Sequence, residues 1–206
     1  MDPLALVDYA SVLVFAVTGA LVASRAQLDI IGFCFLACLT ALGGGTIRDL
    51  LLDRVPLWIA DPVYLLVGCV TAIVVFFCAH LLESRYRAIL WCDALALSFA
   101  VVAGAGIALE AGCSAPVVVV MGVVTGCFGG LMRDVVANEV PLVLKQGEPY
   151  ATCALAGAAA LLAARAVDAS TGLAAVLGFS VTLAARVAGF RLGWSLPVYR
   201  SRPPRQ

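Results

Sequence analysis

Two stretches of this chain repeat each other at a constant offset of 85 residues, and that duplication limits its folds more than any other feature. Gly44-Gly45-Thr46-Ile47-Arg48-Asp49, followed by Val55-Pro56-Leu57, returns as Gly129-Gly130-Leu131-Met132-Arg133-Asp134, followed by Val140-Pro141-Leu142. Aligned without gaps, Asp8–Trp58 and Asp93–Val143 share 14 identities in 51 positions, among them Asp8/Asp93, Gly19/Gly104 and Thr40/Thr125. Self-similarity at fixed spacing is the mark of an internal repeat.

What surrounds the repeat places it in a membrane. Hydrophobic residues are 63% of the chain and charged residues 13%, against about 45–50% and about 25% in soluble domains. A bilayer crossing takes about 20 apolar residues. Seven stretches qualify, at about 4–23, 30–52, 63–82, 90–109, 115–137, 150–167 and 171–190. The linkers are too short for a separate soluble domain, so residues 1–206 read as a single transmembrane domain. Repeat one covers about 4–82, repeat two about 90–167, the seventh span 171–190 and a basic tail 191–206. No cleavable leader is expected, since Met1-Asp2-Pro3 lacks a basic start.

Three spans per repeat is an odd number, so the second copy enters the membrane from the opposite face. The expected fold is an all-α membrane protein of seven transmembrane helices: two inverted three-helix repeats plus a seventh helix. Inverted repeats place functional sites at their interface, in interrupted helices. With the amino terminus outside, Arg25, Arg85, Arg87, Lys145, Arg191, Arg200, Arg202 and Arg205 fall inside. Arg54 and Arg165 then fall outside with Asp2, Asp53, Asp61, Glu110 and Asp168. Positive charge favours the cytoplasmic side, which predicts an inner-membrane protein with its amino terminus out and carboxyl terminus in.

Gly43-Gly44-Gly45 lies past the middle of the second span, and Gly129-Gly130 at the inverted place in the fifth. Such runs predict a kink, tolerated at that depth only beside protein or water. A plainer use is close helix packing, as Gly122-x-x-x-Gly126 suggests. One turn on come Arg48-Asp49 and Arg133-Asp134, and one turn before come Thr40 and Thr125. Intramembrane charges normally face a bundle interior or an aqueous path, so these residues predict a polar stripe toward both mouths. Asp8 and Asp93 read as amino-terminal helix caps, and Pro56 and Pro141 as helix stops. The eight cysteines form no Cys-x-x-Cys pair, and no metal cluster, activated nucleophile or phosphate loop suggests an enzyme.

With these motifs the chain resembles the prokaryotic trimeric intracellular cation (TRIC) channels over nearly its whole length. The resemblance implies a homotrimer with one ion pathway in each protomer, conducting monovalent cations, chiefly potassium. Potassium would be a transient passenger; no cofactor, fixed metal or nucleic acid is implied. It also implies that Gly44, Gly45, Gly129 and Gly130 shape the pore. Phe128 stands where the first copy has Gly43, so it is expected to narrow or gate the path. Arg48, Asp49, Arg133 and Asp134 are the expected pore charges. The alternative is a secondary transporter of a small amino acid such as glycine, with an arginine holding the carboxylate. The basic rim suggests anionic lipid as a further partner.

Overall fold

The computed structural model describes residues 3–81, 85–197 and 199. Asp2, Arg200, Arg202, Arg205 and the side chain of Arg85, which enter the charge argument, lie outside the described residues. The helices are α1 (Pro3–Arg25), α2 (Ile30–Leu51), α3 (Leu57–Ala60), α4 (Val63–Cys78), α5 (Arg85–Glu110), α6 (Ala115–Val136), α7 (Ala151–Ala166) and α8 (Thr171–Leu192). Six are long and apolar enough to cross a membrane, α4 by running on through a 3₁₀ turn to Leu81, while α7 is a shorter apolar helix. At 1.5 Å per residue its 16 residues reach about 24 Å, short of a core roughly 30 Å thick.

The repeat is visible in the backbone. The turn after α1 puts Gln27 at φ 54°, and the turn after α5 puts Gly112 at φ 73°. The turn after α2 puts Asp53 at φ 54°, and the turn after α6 puts Asn138 at φ 55°. Each pair is 85 residues apart. The short helix α3 is mirrored by a 3₁₀ turn at Leu142–Leu144, each entered from a proline. The prolines therefore start the next element and do not stop the last, since α2 and α6 end at Leu51 and Val136, before the turns at Asp53 and Asn138.

α1 and α5 pack against each other at the centre, α2 and α4 flank α1, and α6, α7 and α8 flank α5. Small residues set these approaches. α1 crosses α2 at Gly19, against Leu36 and Thr40, and α5 crosses α6 at Gly104, against Met121 and Thr125. Gly122 and Gly126 serve the packing role read from their spacing: one faces Ala158 of α7, the other Leu97 and Val101 of α5. The alanine-rich α7 closes on α8, with Gly157 against Gly178 and Thr182. Away from the bundle centre, Ile31, Phe35, Leu66, Phe77 and Val176 are exposed, giving the outer face the apolar surface that lipid requires.

One helix start differs from expectation: α5 begins at Arg85 rather than near residue 90, while α1 begins at Pro3, about where expected. Asp8 and Asp93 therefore lie inside helices, one or two turns in, and are not caps. The basic Arg85-Tyr86-Arg87 segment continues the helix instead of forming a loop.

Candidate functional site: twin charge triads about a pinched crossing

α2 and α6 cross where each has its glycines. A methyl group on Gly44 would strike the carbonyl oxygen of Thr125, and one on Gly129 would strike that of Thr40. The contact is reciprocal, so the glycines bring two backbones together at the pseudo-two-fold axis. Both helices remain α-helical through Gly43–Gly45 and Gly129–Gly130. The expected interruption, with freed carbonyls available to an ion, is absent because the packing needs room and not a broken ladder. Gly43 faces the other way, into an apolar groove lined by Phe35, Cys38, Leu39 and Met132.

One turn beyond the crossing, each repeat builds the same buried triad. Arg48 donates from Nε to Asp49 (2.8 Å) and from Nη1 to Asp8 (3.1 Å). Arg133 donates from Nε to Asp134 (2.8 Å) and from Nη1 to Asp93 (3.1 Å). The second oxygens of Asp49 and Asp134 accept the backbone N–H of Leu57 and Leu142, each at 2.9 Å. Each triad thus locks the following chain corner as well as holding charge. Asp8 and Asp93, misread as caps, are its third members; their identity across the repeat was the available signal. Two carboxylates surround one guanidinium in each case, so each triad is formally one charge negative.

Thr40 and Thr125 return their hydroxyls to Leu36 and Met121 one turn back, at 2.6 and 2.7 Å. Both line a constriction of about 10 Å³ with Asp8, Ser11, Phe15 and Gly44, room for about one water molecule. The aromatic there is Phe15 of α1; Phe128 is not among the lining residues.

A cavity of about 270 Å³ opens beyond the first triad, at the face carrying the amino terminus. It borders the constriction, sharing Asp8 and Leu57 with it. Asp8, Asp49, Asp61 and Glu110 face Arg48 and Arg54 in it, four carboxylates against two guanidiniums. Tyr9 and Tyr64 stack at its wall (4.0 Å between centroids), and the Tyr9 hydroxyl donates to Asp61. That bond, with one from the Val63 N–H, holds the Asp61 carboxyl below the usual carboxylate range.

On the opposite face a cavity of about 330 Å³ is lined by Arg25, Arg133 and Lys145 against Asp134 and Glu139. Arg25 pairs with Glu139 at 3.3 Å, and Lys145 donates to the Tyr86 hydroxyl. Arg133 lies eight residues, about 12 Å of helix, beyond Thr125 of the constriction. The intervening space is occupied: Thr18 of α1 accepts from Arg133 at 2.9 Å, and Asp93 is fully buried. Sequence reasoning also missed Tyr150, Glu148 and Arg186, which gather beside this second triad; Tyr64 stands by the first triad much as Tyr150 does by the second, while Glu148 and Arg186 have no such counterpart.

Inverted triplets closing on a charged, constricted axis define a class, that of membrane proteins built to pass or carry small solutes between two mouths. The comparisons narrow it. A family model described as Glycine transporter matches residues 5–80 and again 90–166, once per repeat. A UPF0126 membrane protein of Vibrio cholerae is 40% identical over 94% of this chain and 82% of its own. The UPF0126 inner membrane protein YadS of Escherichia coli K12 is 36% identical over 93% and 94%. Among solved structures, the TRIC trimeric intracellular cation channel orthologue from Rhodobacter sphaeroides superposes with a TM-score of 0.91 at 44% identity, over 94% of this chain and 100% of that one. A second, solved as the structural basis for conductance through TRIC cation channels, gives 0.84 at 30%, over 97% and 98%. The chain belongs to this family, which joins the UPF0126 membrane proteins to the prokaryotic TRIC channels. These solved neighbours are channels and not enzymes.

Proposed function

We propose that the chain is a passive channel for monovalent cations, chiefly potassium, with one route through each protomer of a homotrimer. The observation that carries this reading is the pair of net-negative triads, Asp8–Arg48–Asp49 and Asp93–Arg133–Asp134, set on either side of one constriction. Surplus carboxylate at each end lowers the cost of bringing a cation toward the axis, while each guanidinium restrains its residence. Carboxylate and hydroxyl oxygens, those of Asp8, Thr40 and Thr125, replace hydration in place of the helix carbonyls, which stay bonded. The described arrangement is a closed one, since a gap the size of one water does not pass a hydrated ion. The charge distribution supports an amino terminus outside; in that orientation the acidic cavity faces out and the basic one, with a rim suited to anionic lipid, faces the cytoplasm.

The likeness to solved TRIC cation channels supports this reading, and the match to the Glycine transporter family model keeps amino-acid transport as its rival. Against the rival, Arg48 spends Nε, Nη1 and Nη2 on two carboxylates, and Arg133 is likewise bound to two, with only Nη2 left over. Purified protein in planar bilayers should pass ohmic potassium current, and Gly44→Leu should cut it at least tenfold. Saturable uptake of radiolabelled glycine into proteoliposomes, with silent bilayers, would replace the channel by the transporter.

A further inference from the structure

Five buried side-chain atoms have no hydrogen-bond partner among the described residues: Asp93 Oδ2, Arg133 Nη2, the Tyr150 hydroxyl, and Nε and Nη2 of Arg186. All five belong to the second triad and its surroundings. Around the position a methyl on Gly130 would take stand the Tyr150 hydroxyl (3.3 Å), Asp93 Oδ1 (3.5 Å) and Arg133 Nη2 (3.7 Å). The Arg186 guanidinium lies over the Tyr150 ring, 4.7 Å from its centroid. The first triad has no such deficit. There the atoms nearest the equivalent Gly45 position belong to Leu57 and Arg48, and Arg48 Nη2 reaches Asp8 at 3.4 Å.

Arg186 comes from α8, the helix outside the repeats, and is fully buried. Its ion pair is a 3.4 Å contact with Glu148, whose side chain is 34% exposed. A buried guanidinium held by one long contact to a half-hydrated carboxylate is poorly compensated. A carboxylate oxygen with no partner, Asp93 Oδ2, lies in the same cluster. One cation with two available anions is a bistable element of the kind switching proteins use.

We propose that Arg186 is the gating switch of the second mouth, exchanging Glu148 at rest for Asp93 in the conducting state. The exchange takes Asp93 from Arg133, loosens the Arg133–Thr18 bond that ties α6 to α1, and turns Arg133 toward the second cavity. The inference rests on the channel reading and adds its control: the seventh helix works one mouth, and the first mouth has no equivalent.

Glu148 lies off the ion route, so its removal separates switching from conduction. Glu148→Gln should raise open probability about threefold with unitary conductance unchanged, and Glu148→Lys should raise it further. Arg186→Gln should lower it about threefold, and the double variant E148Q/R186Q should behave as Arg186→Gln alone. A purely structural role would move both single variants downward. The proposal is overturned if both move the same way, if neither moves, or if the double variant keeps the gain. If Arg186→Gln fails to assemble, the graded order wild type, Gln, Lys at position 148 decides alone.

A second readout does not need current. Cys127 is buried within electrostatic reach of both Asp93 and Arg186. Its labelling by a water-soluble thiol reagent, followed by peptide mass spectrometry, should speed up in Glu148→Gln and slow in Arg186→Gln. Silent wild-type bilayers would reject the channel reading, and the labelling rates would still test the exchange; equal rates would reject it.

Discussion

The first and second triads share one skeleton and sit in opposite surroundings. Asp8–Arg48–Asp49 lines an acidic cavity with stacked tyrosines at its wall, and Asp8 touches that cavity directly. Asp93–Arg133–Asp134 is sunk deeper, with Asp93 and Arg133 fully buried and a second arginine, Arg186, beside it over Tyr150. Both triads border a cavity through their Arg-Asp pair; the duplicated motif therefore fixes an ion-pair geometry, while residues outside the motif decide whether the third member, Asp8 or Asp93, reaches that cavity. Duplication supplied the frame; divergence around it supplied a direction.

The comparison is most sharply tested by neutralising the deep acid of each copy. Asp93→Asn should destabilise by about 3–5 kcal/mol, the usual result of leaving a buried charge half-paired. Asp8→Asn should cost clearly less, because position 8 itself borders the first cavity, whereas Asp93 is sealed from the second. Thermal unfolding in detergent measures both, and equal losses would erase the distinction between the sites. The crossing, by contrast, should behave symmetrically. Gly44→Ala and Gly129→Ala each press a methyl onto the opposite backbone and should cost about 1–3 kcal/mol alike. Gly43→Ala, which meets the flexible end of Met132, should be nearly silent in the same assay.

The smallest effect belongs to the acidic mouth alone. Asp61 has its carboxyl held low by Tyr9 and Val63, so its contribution is present above about pH 4 and fades as acid protonates it below that. Wild type should lose more stability than Tyr9→Phe over that range, and parallel acid titrations of the two would remove Asp61 from the account.

Much of this was legible in the chain. The constant offset showed the triplets, their odd span count showed the inversion, and the Arg-Asp pairs marked both sites. What escaped was tertiary. Asp8 and Asp93 resemble caps until the helices are seen to begin upstream of them, and only folding brings each 40 residues along the chain to its arginine. The glycine run reads as a break because propensity alone disfavours glycine in helices; its use depends on a carbonyl from a helix in the other repeat. Arg186 has no repeat mate, and near the end of the last helix it looks like one more interfacial cation. Its burial follows from the seat it takes over Tyr150, which no local pattern announces.

Gly44 resting on Thr125 and Gly129 resting on Thr40 is a self-complementary contact, the kind two identical subunits make across a dyad. A lone ancestral triplet inserted in both orientations would already have possessed it. In the present chain the two repeats meet at the centre as paired subunits do, each lending the other a carbonyl to rest on.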